Sequence, residues 1–184
     1  MKIRLAIALI FLAALSRLLP HPDNFAPIGA IGIFAAAHFS RRPWLLLTPF
    51  IALFISDLAL NNLLFSQYFD GFAWYTSWTI HAALLFIMVG GWLLLSNKNI
   101  TPLRVLGASL TGSVIFFLVT NFGAWMEIPS YPQTPAGLMQ AYAAGIPFFG
   151  NTLLGDLFYS GVLFGVFAWA SRWEMRNAES GMRN

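Results

Sequence analysis

The chain has 184 residues, 58% of them hydrophobic and 9% charged, with 10 Lys and Arg against 7 Asp and Glu and no cysteine. A soluble domain carries about 25% charged residues, so this composition excludes a water-soluble globule, and the lack of cysteine excludes disulfides and thiolate metal sites. The basic residues are too few, and too confined to the edges of apolar runs, to form a nucleic-acid surface.

Six apolar runs predict six membrane spans, in one all-α membrane domain covering 1–184. The first covers residues 3–19. Lys2 and Arg4 ahead of an apolar stretch also fit a signal peptide, but no small-residue cleavage site ends the run, and Arg17 stands where one would fall. The second span, 25–39, is short for the ~20 residues a crossing needs, and Pro27 suits its first turn. The third covers 44–60, where Pro49 predicts a kink. The fourth covers 74–95. Thr101-Pro102 reads as an N-cap followed by a first-turn proline and opens the fifth, 103–126. A short outer helix is expected over 135–144, with Thr134 as cap, Pro135 as first residue and Gly145 as stop. Its Leu138, Met139 and Tyr142 could close over the bundle as a lid. The sixth span covers 148–170. No internal repeat is visible, which disfavours an inverted-repeat transporter.

With these spans, Lys2, Arg4, Arg41, Arg42, Lys98, Arg104, Arg172, Arg176 and Arg183 fall on one side and only Arg17 on the other. Basic residues in short loops stay cytoplasmic, so both termini are expected inside. The acids sort the other way: Asp23, Asp57, Asp70, Glu127 and Asp156 are outer, while Glu174 and Glu179 are inner.

Polar side chains are costly in hydrocarbon, so their depth is informative. Ser56 and Asp57 end the third span on the outer side. Ser77 and His81 lie one turn apart at the start of the fourth. Asn121 and Trp125 end the fifth, and Asn151, Thr152 and Asp156 begin the sixth. The inner halves are apolar apart from Ser109, Thr111 and Ser113, whose hydroxyls can bond their own backbone. Such one-sidedness predicts an outward-facing cavity sealed on the inside. The plainer reading is interhelical glue, with Asp57 or Asp156 paired to Arg17. His21, held between Pro20 and Pro22, is either a rigid metal ligand or hydrogen-bond donor or a turn histidine. His81 either lines the cavity or makes a structural hydrogen bond. Three histidines without tight spacing are not a zinc signature. The outer aromatics read as an interfacial belt, dense enough around Trp74, Tyr75 and Trp78 to wall a flat ligand. Gly29, Gly32 and Ala36, and Ala6, Ala13 and Ala14, form small-residue stripes, which serve packing inside the bundle or offer a face to a partner helix. No GxSxG, HExxH, P-loop or GxGxxG motif occurs.

The run from Ser16-Arg17-Leu18-Leu19-Pro20-His21-Pro22 through Asp23-Asn24-Phe25-Ala26-Pro27 to Ala30 resembles the opening signature of a group of small bacterial six-span membrane proteins. Ile55-Ser56-Asp57-Leu58, Thr120-Asn121-Phe122-Gly123-Ala124-Trp125, Tyr131-Pro132 and the stretch from Ile146 to Asp156 carry the same resemblance. That group is similar to the S components of energy-coupling-factor vitamin transporters and neighbours the BtuM-type proteins of cobalamin uptake. The resemblance implies a six-helix vitamin-binding bundle in the bacterial inner membrane, working with an energising module or without one. In the BtuM type a cysteine near the start of the fourth span is expected to meet cobalt. Here that region reads Tyr75-Thr76-Ser77, so no thiolate is available, and His21, which matches the Pro-His-Pro element of the group, could supply an imidazole ligand to the metal.

The expected protein is thus a vitamin-binding uptake protein, with cobalamin as the first choice of transported ligand and no prosthetic group. Its substrate-binding set is His21, Asn24, Asp57, Tyr75, Thr76, Ser77, His81, Asn121, Trp125, Tyr131, Tyr142, Asn151 and Asp156. The alternatives are an S-component-like transporter of another small solute, a membrane enzyme acting on a periplasmic or lipid-soluble substrate, and a structural assembly partner.

Overall fold

The computed structural model describes residues 2–39, 42–74, 77–96 and 99–181. Arg41, Lys98 and Arg183 of the basic set, and Tyr75 and Thr76 of the candidate site, lie outside the described residues. Among the described residues there are six α-helices and no strand: α1 Lys2–Leu15, α2 Ile28–Phe39, α3 Thr48–Ala59, α4 Trp78–Leu95, α5 Pro102–Glu127 and α6 Pro135–Gly181.

Local chemistry explains the boundaries, several of which differ from those expected. α1 stops at Leu15 and tightens into a 3-10 turn over Ser16–Leu18, with the Ser16 hydroxyl donating to the Ala13 carbonyl at 2.7 Å. α2 begins at Ile28 rather than near residue 25, because residues 22–25 form a turn, closed by the Phe25 amide on the Pro22 carbonyl. Asn24 sits in that turn with φ +61°, a left-handed conformation that asparagine tolerates. Pro49 lies in the first turn of α3, after a 3-10 turn over Pro43–Leu47, so it starts an α-helix instead of kinking one. A π turn over Leu60–Leu64 extends α3, making a continuous run Trp44–Leu64 of 21 residues. α4 starts only at Trp78, since Ser77 is its N-cap, accepting from the Thr79 amide at 3.2 Å. Thr101 and Thr134 cap α5 and α6 through the amides of Arg104 and Gly137.

The largest correction concerns α6. The short outer helix and the sixth span are one helix of 47 residues, and Gly145 does not stop it. An internal glycine costs only about 1 kcal/mol, and here the bare backbone makes room for Asn121, into whose amide a Cβ at Gly145 would run. Pro147 stays inside the helix and withdraws one donor from its backbone ladder. At 1.5 Å per residue α6 is about 70 Å long, well over the ~30 Å of a bilayer core.

α2 is the hub. It contacts each of the other five helices, while α1 packs on α3 and α6, and α5 packs on α4 and α6. From Ile28 to Ala36 every residue of α2 is buried. Ile10 and Ala14 of α1, Ala30 and Phe34 of α2 and Leu163 of α6 form one apolar cluster. Ile33, Ile87 and Ala108 join α2, α4 and α5 in another. The two small-residue stripes lie inside: Ala6, Ala13 and Ala14 are buried, Gly29 meets Asp156 of α6, and Gly32 meets Leu84 and Ile87 of α4.

The outward surface is apolar, with Leu12, Phe86, Leu103, Phe158 and Trp169 among its exposed side chains. A continuous apolar exterior over a core that contains serines and aspartates is what a lipid solvent selects. Four helical stretches are long and apolar enough to cross a membrane: Trp44–Leu64, Trp78–Leu95, Pro102–Glu127 and Pro135–Asn177. α2 is a shorter apolar helix of 12 residues and α1 has 14. The two ends of the bundle differ in charge. Lys2, Arg4, Arg42 and Glu174 share a hollow at one, the basic end, while Arg17, Asp23, Asp57 and Glu127 belong to the other, the acidic end.

Candidate functional site

At the acidic end a cavity of about 350 Å³ lies between α4, α5, α6 and the 22–25 turn. Asn24, Thr120, Asn121, Tyr131 and Thr152 supply its polar lining, and Ile80, Phe116, Phe117, Phe148 and Phe149 its apolar walls. Asn121 donates to the Phe117 carbonyl at 2.8 Å, which holds the amide across from Gly145. Its side-chain carbonyl, the Asn24 amide and the Tyr131 hydroxyl have no protein hydrogen-bond partner among the described residues. The Thr120 and Thr152 hydroxyls donate to carbonyls of their own helices at 2.8 and 3.4 Å, so their lone pairs remain to accept. The cavity therefore offers donors and acceptors against aromatic faces, which suits a small amphipathic molecule.

The wall and rim are held by specific contacts. Phe117 meets Phe149 edge-on with ring centroids 5.2 Å apart and lies tilted 5.8 Å from Tyr142, whose hydroxyl donates to the Leu118 carbonyl at 2.9 Å. The Trp125 indole N–H donates to the Pro132 carbonyl at 2.8 Å, and Gln133 returns a bond to the Trp125 carbonyl at 2.7 Å, so the loop carrying Tyr131 is tied to the end of α5. Tyr142 and Trp125 thus support the pocket from behind. Leu138 is half-buried against the bundle, whereas Met139 is exposed.

The remaining expected residues go elsewhere. Asp57, on α3, takes the Arg17 guanidinium at 2.7 Å, and the same nitrogen reaches the Ser56 hydroxyl at 2.6 Å. This buried pair lies on the α1–α3 side, and α3 is not a packing neighbour of α5 or α6. Asp156 is buried between α2, α5 and α6. One oxygen accepts the Ala30 amide at 3.2 Å and the other the Ser113 hydroxyl at 2.7 Å. Ala30 belongs to the first turn of α2, so α6 supplies the cap that α2 lacks in its own sequence, where proline and alanine precede it. A Cβ at Gly29 would collide with this carboxylate, which is why glycine stands there. Asn151 donates to the Asp23 carbonyl at 3.0 Å, pinning the 22–25 turn to α6. Ser77 caps α4, and His81 bonds back to the Ser77 carbonyl at 3.2 Å. His21 is exposed and turned onto the Pro22 carbonyl at 2.9 Å. Of the expected set, the cavity brings together Asn24, Asn121 and Tyr131, but Asp57, Asp156, His21 and His81 do not line it. No group of three or more metal-binding side chains forms among the described residues.

Sequence reasoning left Thr120, Phe117 and Gly145 out of the site set. For Thr120 the signal is its place beside Asn121 in the fifth apolar run. A second omission is Ser160, whose hydroxyl pairs with Ser109 at 2.8 Å. Ser109 and Ser113 on α5, and Asp156 and Ser160 on α6, are each four residues apart. They form two rungs between the helices, a spacing visible in the sequence.

These features define a polytopic helical membrane protein with a partly polar pocket at its acidic end. Residues 1–178 match a family of unknown function, DUF6580, and the chain belongs to that family. No curated protein and no solved structure matches the chain.

Proposed function

We propose that this protein is a solute-binding uptake protein of the S-component type. In this reading it crosses the bacterial cytoplasmic membrane six times, with both termini inside and the pocket open to the exterior. The observation that carries the reading is the acidic-end cavity, where the Asn24, Asn121 and Tyr131 side chains leave polar groups free against a wall of phenylalanines. Beneath it, Asp156 and Ser113 are fully engaged with protein donors and acceptors, which supports a closed floor rather than a through-pore.

The solute this cavity suits best is a vitamin-like molecule with a planar ring and several hydrogen-bonding groups. Cobalamin, which the resemblance implies, is larger than 350 Å³. It would need α6 and the Tyr131 loop to move apart, and His21 to leave the Pro22 carbonyl. Retention of a vitamin panel, cobalamin included, by the protein in lipid nanodiscs tests this reading through native mass spectrometry. A smaller ring vitamin should be retained, and Asn121→Ala should weaken it about tenfold, the value of one hydrogen bond to a polar ligand. Retention unaffected by both Asn121→Ala and Tyr131→Phe would overturn the assignment of the site. Reporter fusions at Asn177 should read cytoplasmic and at Ser130 periplasmic. A periplasmic Asn177 would overturn the six-crossing topology.

A further inference from the structure

Toward the basic end, the seam between α5 and α6 opens into a groove of about 410 Å³ that the solute pocket does not use. Its lining is mostly apolar, with Leu106, Gly161, Gly165 and Ala168 exposed on the outer surface and the Ser109 hydroxyl donating to that of Ser160 at the floor. A Cβ at Gly161 or Gly165 would meet nothing within 4 Å, so this trough is vacant of protein. The groove continues into a second hollow that shares Gly165, Ala168 and Arg172 with it and adds Trp169 and Arg176.

Arg172 and Arg176 stand one turn apart on this face, both exposed, and neither has an ion-pair or hydrogen-bond partner among the described residues. Glu174 points away from them, into the hollow lined by Lys2, Arg4 and Arg42. Among the described side chains, then, no acid offsets the positive charge at the mouth. Trp169 and Trp173, 65% and 51% exposed, mark this level as the membrane interface. An apolar trough thus descends into the hydrocarbon from a pair of interfacial guanidiniums.

We infer that the groove binds an anionic phospholipid, its phosphate on Arg172 and Arg176 and one acyl chain along Gly161, Gly165 and Ala168. Guanidinium matches phosphate in charge and fork geometry, and an acyl chain fits a trough whose lining is mostly apolar and whose floor serines are bonded to each other. A second copy seated on the same glycines would bring four arginines together, which like-charge repulsion opposes. A free phosphate would leave the trough unused. This inference does not rest on the solute pocket or on the S-component reading.

The test compares phosphatidylglycerol with phosphatidylcholine of the same chains, and with glycerol phosphate, on the purified full chain in detergent, by native mass spectrometry and thermal unfolding. Phosphatidylglycerol should be retained and raise Tm, and the other two should not. Arg172→Gln with Arg176→Gln should weaken phosphatidylglycerol about twenty-fivefold, from about fivefold per interfacial arginine, and the double Lys variant should keep most of the affinity. Gly165→Leu, which fills the trough and leaves both arginines in place, should lower retention of the lipid on its own. It also serves as the second arm if the double Gln variant does not fold. Equal retention of the two lipids, competition by glycerol phosphate as strong as by the lipid, or full retention in Gly165→Leu would overturn the proposal. So would a dimer that Gly165→Leu dissociates without any lipid preference.

Discussion

Asp57 and Asp156 are both buried acids of the acidic half, and they are neutralised in different ways. On the α1–α3 side, Asp57 meets a full opposite charge in Arg17, while its second oxygen, Oδ2, has no hydrogen-bond partner. On the α2–α5–α6 side, Asp156 meets no cation. Its two oxygens are divided between the Ala30 amide at the head of α2 and the Ser113 hydroxyl. The first arrangement sets charge against charge, and breaking it leaves an ion stranded in a low dielectric. The second sets a carboxyl group against the head of a helix and a hydroxyl, and breaking it orphans an amide that carries no net charge. An intramembrane acid is often read as a functional site. In both places here the acid holds helices together, and the polar groups left free in the acidic-end cavity are amides and a phenol.

The contrast predicts a graded set of responses. Arg17→Met should have the largest effect, a loss of about 3–5 kcal/mol, because it leaves Asp57 buried and unpaired. Adding Asp57→Leu should recover most of that loss. Denaturant unfolding of the purified protein in micelles measures both. If Arg17→Met lost under about 1 kcal/mol, the pair would be solvated and the contrast would collapse.

Asp156→Ala comes next. It orphans the amide of α2, while the Ser113 hydroxyl keeps the Ser109 carbonyl at 3.1 Å, for an expected loss of about 2 kcal/mol. Asp156→Asn keeps a carbonyl acceptor and should lose about half as much in the same unfolding measurement. An equal loss in both would mean that the negative charge, not the hydrogen bond, holds α2 in place.

Ser113→Ala should cost about 1 kcal/mol, since its hydroxyl gives one bond to Asp156 and the carboxylate keeps the α2 amide. A loss as large as that of Asp156→Ala would make the serine, rather than the helix terminus, the principal partner.

The smallest stability effect belongs to Asn121→Ala, within about 0.5 kcal/mol, because Asn121 bonds only its own helix. Solute retention should still fall in this variant, separating binding from folding. A large loss of stability would reassign Asn121 to packing against Gly145.

The same residues show how far the chain could be read unaided. The caps at Thr101 and Thr134 are local: a hydroxyl followed by proline serves the same purpose in any tertiary setting. The level of Asp57, Asn121 and Asp156 along the bundle follows from their places in the apolar runs. Which of them share a cavity does not, since depth gives a level along the bundle but no direction around it. Arg17, one turn from the end of α1, decides the role of Asp57 by lying on the same side of α2. Gly145 carried a stop signal that the contact with Asn121 outweighs. The apolar run from Trp74 conceals the capping role of Ser77, because the helix begins only at Trp78.

Composition, apolar run length and charge sorting determined by themselves that the chain is a helical membrane protein with a basic and an acidic end, because hydrocarbon leaves a backbone few other ways to satisfy its own hydrogen bonds. Only the tertiary structure decided that α2 is the hub, that α6 runs unbroken from Pro135, and that Asn24, Asn121 and Tyr131 share one cavity while the two aspartates serve as a pair and a cap. Those outcomes depend on which helix faces meet, and a face is chosen by the packing of residues far apart in the chain.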